Sequence, residues 1–255
     1  TPTQGQTLTA SNSLADVDGL GTITYQWQRG GVDIAGATGS TYTTTQADVG
    51  ATLSVVASYT DALGTVESVS SAATAPVANV NDAPTGSVTI DDTTPTQGQT
   101  LTASNSLADV DGLGAITYQW QRGGVDIAGA TGATYTTTQA DVGSTLSVVA
   151  SYTDALGTVE SVSSAATAPV ANVNDAPTGS VTIDDTTPTQ GQTLTASNSL
   201  ADVDGLGTIT YQWQRGGVDI AGATGSTYTT TQADVGATLS VVASYTDALG
   251  TVESV

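Results

Sequence analysis

"ITYQWQRGGVDIAGATGATYTTTQADVGSTLSVVASYTD", Ile116 to Asp154, is the stretch that decides the fold. Its apolar residues fall on every second position. Ile116, Tyr118 and Trp120 alternate with Thr117, Gln119 and Gln121; Leu146, Val148, Ala150 and Tyr152 alternate with Ser147, Val149, Ser151 and Thr153. A period of two sends one set of side chains to the inner face of a sheet and the other set outward. Gly123-Gly124, Gly129 to Gly132 and Asp141 to Gly143 break the runs with turn-forming residues. Working outward, Leu101 and Ala103 sit between threonines, Val88 and Ile90 flank Thr89, and further turns fall at Gly112 to Gly114 and Asp154 to Gly157. No stretch has the pattern of a useful amphipathic helix. About seven short strands in roughly 90 residues predict an antiparallel sandwich, and threonine and valine suit its pleated surfaces. Trp120, Tyr135 and Tyr152 are then core residues, and Arg122, just past its strand, is expected to pair with a nearby carboxylate.

The same pattern recurs. "TPTQGQTLTASNSLADVDGLG" begins at Thr1, Thr94 and Thr187, a period of 93 residues. Over the 69 positions shared by all three copies, the first and third are identical and the second differs only at Ala115, Ala133 and Ser144. A domain-sized unit repeated almost without change predicts an array. It also argues against a unique active site, which would sit in one specialised copy.

Composition narrows the function classes. The chain of 255 residues carries 24 acidic side chains against three arginines, a formal charge of -21, and has no Lys, His, Cys, Met or Phe. That balance argues against nucleic acid or an anionic membrane as partner, since both need basic patches. No run approaches the roughly 18 apolar residues of a membrane span. Without His, Cys or Lys the usual nucleophile–base triads cannot be built, and nothing suggests a cleft for paired carboxylates such as Asp109 and Asp111 to act on a sugar. The chain is not expected to be an enzyme. Its unpaired carboxylates repel one another, and salt screens them only beyond about 8 Å at physiological strength. A salty medium or divalent cations would suit it, which leans towards an extracellular setting.

Ile116 to Asp154 resembles the middle of a bacterial immunoglobulin-like domain. Trp120 in "YQWQR" falls where the core tryptophan of strand C would sit, and "QADVG" (Gln139 to Gly143) matches the turn entering strand F. The two cysteines of antibody domains are absent, as is the corner tyrosine, for Thr145 and Leu146 follow that turn. With "VNDAP" closing each unit, the chain resembles the tandem cadherin-like extender repeats of giant RTX-type bacterial surface adhesins. The resemblance implies an all-β chain of tandem immunoglobulin-like antiparallel β-sandwiches arranged as an extended rod. Taking "VNDAP" as linker, the domains run 1–82 (lacking its first strand), 83–175 (complete) and 176–255 (lacking the end of its last strand). The simplest account of the incomplete ends is a window cut from a longer array; strand donation between chains is the sharper alternative.

Threading the strands in immunoglobulin order sorts the acidic residues into two poles. Asp109 and Asp111 of the B–C loop and Asp154 of the F–G loop cap the end beside the incoming linker, Asn81-Asp82. Asp91 and Asp92 (A–B) and Asp141 (E–F) cap the end beside the outgoing linker, Asn174-Asp175. Asp184, Asp185, Asp202, Asp204 and Asp247 are their counterparts in the third copy. Calcium takes six to eight hard oxygens at about 2.3–2.6 Å, and Asp and Asn on loops around a linker supply such atoms. "VNDAP" also resembles the Asn-Asp-x-Pro linker of cadherins, where the resemblance implies calcium at the domain junction. The bland reading is that acidic turns are ordinary solvated features; "DVDG" lacks the later ligands of an EF-hand.

The expected function is therefore structural: an extender segment of a large bacterial cell-surface or secreted adhesin, serving adhesion and biofilm, stiffened by calcium at its junctions. Its partners would be neighbouring repeats of the same chain, with no nucleic acid and no membrane insertion. Two rivals stand beside it. One is a subunit of an extracellular filament built by strand exchange with other copies end to end. The other is a glycan- or surface-binding module whose weak contacts gain from multivalency.

Overall fold

A computed structural model describes all 255 residues. The chain divides into two compact units, one of residues 1–89, 105–118 and 149–164, the other of residues 90–104, 119–148 and 165–255. Both are almost entirely β, with helix confined to three short 3-10 turns. The first unit holds the whole first copy. There a four-stranded sheet runs in the order Val32–Asp33, Thr24–Arg29, Leu53–Thr60, Val66–Ser70, and a second sheet pairs Thr7–Thr9 with Thr41–Thr43. The second unit holds the whole third copy. Its four-stranded sheet is Val218–Asp219, Thr210–Arg215, Leu239–Thr246, Val252–Ser254, and its second sheet has three strands, Val181–Ile183, Thr193–Asn198 and Thr227–Thr229. All pairings between these strands are antiparallel, and single parallel bridges join Val49 to Val77 and Thr3 to Ala78. The second copy repeats the third copy's orders. This is an immunoglobulin-like sandwich, with A, B and E on one side and C′, C, F and G on the other.

The alternation read from sequence is realised as burial. Leu146, Val148 and Ala150 are fully buried and Tyr152 nearly so. Trp213, on one sheet of the third copy, packs in one cluster with Leu194 and Ala196 on the other. Trp120 is likewise buried, and its indole Nε1 donates to the Gly132 carbonyl at 3.0 Å. Its ring lies 5.7 Å from that of Tyr135. Tyr118 is only half-buried, its hydroxyl accepting from Asn105 Nδ2 at 2.7 Å, so strand C is less strictly alternating than its sequence suggests.

Two glycine sites carry the turns. Arg122 faces Val125 across a two-residue loop, Gly123-Gly124, with φ of +55° and +81°. Positive φ at both positions is the type I′ hairpin geometry that glycine admits without strain. At Gly114 a Cβ would stand 2.0 Å from the Thr153 carbonyl oxygen, so the loop can lie against strand F only as glycine.

Arg122 does find its carboxylate. Its Nε donates to Asp141 Oδ1 at 2.7 Å, while Asp141 Oδ2 accepts from Tyr135 Oη, the Thr138 amide and the Thr138 hydroxyl. Asp48 and Asp234 are held in the same way by Arg29 and Arg215. Burial pushes these carboxyls up, but the threonine amide and the arginine outweigh it, leaving all three below the ordinary value and Asp234 at about 2. Tyrosine, arginine and carboxylate thus tie strands E and C to the E–F turn.

Candidate functional site

The linkers are where unlike elements converge. In the first unit, Asp111 of the B–C loop is the centre. Its Oδ1 accepts from Gln46 Nε2 at 2.8 Å; its Oδ2 accepts from Asn79 Nδ2 at 3.2 Å and from the Asp82 amide at 2.8 Å. Gln46 opens the 3-10 turn of the first copy, and Asn79 and Asp82 belong to the linker, so one carboxylate binds preceding copy, linker and following loop together. Gln4 adds a second clamp: its Nε2 donates to Asp82 Oδ2 at 2.8 Å and its Oε1 accepts the Val80 amide at 3.3 Å. Asn81 reaches Glu160 at 2.6 Å. The second unit repeats this with Gln139 and the Asp175 amide on Asp204, Gln97 on Asp175 and Val173, and Asn174 on Glu253.

Burial supplies an internal comparison. Asp111 and Asp204 are each 3% exposed, whereas Asp18, the same residue in the first copy, is exposed. Gln46 of the preceding copy and the linker residues Asn79 and Asp82 cover Asp111, and Gln139 and Asp175 cover Asp204.

The remaining acidic residues picked out by sequence have local partners. Asp91 and Asp184 accept the amides of Thr102 and Thr195. Asp92 accepts from Gln99 Nε2, and from the amide and hydroxyl of Thr94, which hold its carboxyl below the ordinary range. Asp185 does the same with Thr187 and Gln192. Asp109 and Asp202 accept the amides of Asp111 and Asp204 and the hydroxyls of Tyr152 and Tyr245. Burial, then the neighbouring Asp109 and Asp202 carboxylates, push those two tyrosines well above their usual value. Asp154 and Asp247 each accept two amides of the F–G turn on Oδ1. Asp141 turns inward to Arg122, so the E–F turn meets the linker through Gln139.

The structure thus brings Asp82 and Asp111, and again Asp175 and Asp204, into one network; the other nine lie outside it. No three acidic side chains come close enough to hold a metal by themselves. The network does hold hard oxygens of another kind. Gln46 Oε1 and Asn79 Oδ1 are buried with no partner, as are Gln139 Oε1 and Asn172 Oδ1 in the second unit. Gln4, Gln46, Asn79 and Glu160 were not singled out by sequence. The only signal was position: Gln46 stands at the head of the turn facing the linker.

No protein-family model and no curated protein matches the chain. Among solved structures it is similar to the ICAM-5 D1–D4 ectodomain fragment, at 16% identity and a TM-score of 0.40, over 100% of this chain and 71% of that one. It is also similar to a Ca2+-stabilized adhesin with which an Antarctic bacterium reaches out and binds ice, at 17% identity and 0.32, over 98% and 66%. A tetra-tandem repeat from the extending region of a large adhesion protein is similar at 18% identity and 0.32, over 91% and 64%. The chain spans about two thirds of these two adhesin structures. At scores this low the likenesses carry no argument about family or activity.

Proposed function

We propose that the chain is an extender segment of a large bacterial surface or secreted adhesin, in which sandwiches are strung in series to place a distant binding part away from the cell. The observation that carries this reading is the burial of Asp111 and Asp204, each 3% exposed, where the preceding copy and the linker meet the B–C loop. Flexible tethers need no such fastening, and a catalytic array would gain nothing from it. A strand of nine residues spans roughly 30 Å, so each copy adds a few nanometres of reach. Near-identity of the copies suits a part whose length matters more than its surface.

Calcium belongs to this proposal at the same two places. No three carboxylates come together there, but Asp82, Asp111 and, once their amides turn over, the unpartnered oxygens of Gln46 and Asn79 would offer calcium the hard oxygen donors it takes. An amide side chain offers a donor at one end and an acceptor at the other. The same glutamine and asparagine therefore suit the hydrogen-bonded joint and a cation-bound one. When bound, the ion would add charge neutralisation between Asp82 and Asp111.

Small-angle X-ray scattering and thermal melting of the chain, in EDTA and in millimolar calcium, test both parts. A long maximum dimension in both buffers supports the extender; a further rise in dimension and melting temperature with calcium, lost in D111N/D204N, supports the ion. A compact or broadly distributed particle in both buffers refutes the extender. An identical response of wild type and D111N/D204N refutes the calcium joint.

A further inference from the structure

Two segments from opposite ends of the second copy lie side by side. Residues 93–97 follow its first strand, and residues 167–175 lead out of it towards the third copy. They run parallel, bridged at Thr96 and Ala171. Ala168 N–H donates to the Thr93 carbonyl at 2.8 Å; Ala171 N–H donates to the Pro95 carbonyl, and Gln97 N–H to the Ala171 carbonyl, both at 2.9 Å. Where the backbone pairing ends, the Gln97 side chain continues it. Its Oε1 accepts the Val173 amide at 3.3 Å and its Nε2 donates to Asp175 Oδ2 at 2.8 Å. On the other flank Val170 donates to Ser144 O and accepts from Gly143 N–H, both at 2.9 Å, and is 2% exposed. The first copy repeats the arrangement. Thr3 and Ala78 form the parallel bridge, Ala78 pairs with Pro2 and Gln4, and the Gln4 side chain reaches Val80 and Asp82.

Direction decides how such a pair meets tension. A pull on the two ends of a copy draws residues 93–97 back towards its beginning and residues 167–175 forward out of it. In a parallel pair those pulls run oppositely along the two segments. The segments can part only by sliding, and the evenly spaced bonds between them are strained together. Had the same two segments been antiparallel, both pulls would act at one end, and the bonds would open one after another. Val170, buried and paired on its other side, keeps the outgoing segment from swinging away instead of sliding.

We propose that these two segments are a load-bearing clamp, which Gln97, and Gln4 in the first copy, extends past the strand pair into the linker. Tension along the chain must then shear five hydrogen bonds at once in the second copy, three of backbone and two of the Gln97 side chain, before the sandwich opens. The clamp needs no ion. That the chain is pulled in use rests on the extender reading; the clamp's resistance to load does not.

The test holds the 255-residue chain by its two ends at constant force and times the last unfolding step, which reports the copy that resists longest. A78P/A171P removes the two alanine N–H donors, and Q4A/Q97A removes only the side-chain bonds to the linkers. Y42F/Y135F serves as reference: it deletes the hydroxyls that donate to Asp48 and Asp141 and leaves both segments untouched. Unfolding under load is set by the unfolding rate, so both clamp variants should shorten the last step about tenfold. The reference should melt earlier yet stay within about twofold of wild type under load, since its bond is still intact when the clamp yields. A wild-type rate in A78P/A171P overturns the clamp, and a wild-type rate in Q4A/Q97A overturns its extension into the linker. Rates that follow melting loss alike in all three variants also overturn it, for the load would then have no particular path. A compact particle in scattering would remove the extender reading and leave these rates as they are.

Discussion

Changing both hub carboxylates to amides, Asp111→Asn with Asp204→Asn, should loosen the two linkers without unfolding the sandwiches. Asp111 is acceptor-only and takes three donors, Gln46 Nε2 on one oxygen and Asn79 Nδ2 with the Asp82 amide on the other. Asparagine keeps the shape but turns one of those oxygens into an NH₂ group. Either one donor then faces another donor or Gln46 must turn its amide over to present its unpartnered oxygen, and every bond loses the help of a full charge. A hydrogen bond to a charged group contributes about 1.5–3 kcal/mol. At 1.4 kcal/mol per decade, joint opening should become about 10- to 100-fold more frequent. Hydrogen exchange of the Asp82 and Asp175 amides reads this directly, since both donate to the hub. The two linkers have the same sequence, so a peptide spanning "VANVNDAP" reports both joints together, and mutating both keeps that average meaningful. Exchange there should speed up while the strand Leu146–Thr153 stays protected. Unchanged linker exchange would mean that the hub holds nothing, and the reading of the joint as fastened would fail.

Three further outcomes follow from the sandwiches. Replacing Asp48, Asp141 and Asp234 together by Asn removes each copy's arginine partner, and because the arginines are a third exposed the cost should be about 2–3 kcal/mol per copy. Calorimetry should then show a fall of roughly 10–20 °C; a fall under about 3 °C would deny the triad a structural role. Acid should weaken the fold through the same carboxyls. Their folded values lie below the unfolded one, so their contribution is complete above the unfolded value of 3.8 and fades as pH falls towards about 2, where Asp234 protonates. A melting temperature flat from pH 5 to pH 2 would refute that. Gly114→Ala forces a Cβ to 2.0 Å from the Thr153 carbonyl and should cost about 3 kcal/mol by displacing the B–C loop, visible as an earlier transition; an unshifted melt would contradict the close approach.

How much of this could be read beforehand depended on what each residue's chemistry leaves open. Strands B, C and F were legible because period-two burial is a property of the sequence itself, and Trp120 had no other place to go. Arg122 had to find a carboxylate, and with one arginine per copy the pairing was nearly forced. Turn residues are different. Asp141 and Gln139 lie two positions apart in the same 3-10 turn, and only its geometry sends Asp141 inward to Arg122 and Gln139 outward to Asp204. Acidic residues draw attention as ligands, so the amides of Gln4, Gln46 and Asn79 were passed over although they carry most of the fastening. The segment ending in Val170 has no period, being held by backbone pairing and a single buried valine, and its sealing of the sandwich shows only in three dimensions.

The linker is anchored along its whole length, which ties each joint to the sandwich before it. Every residue from Val77 to Asp82 holds at least one hydrogen bond: Val77 to Ala51 and Gly50, Ala78 to Pro2 and Gln4, Asn79 to Asp111, Val80 to Gln4, Asn81 to Glu160, and Asp82 to Asp111 and Gln4. Stiffness here comes from anchoring along the whole segment rather than from the composition that stiffens proline-rich tethers. The segment that seals one sandwich at Val77 runs directly into the residues that fasten the next at Asp111, so a joint can be firm only while the sandwich before it stays closed.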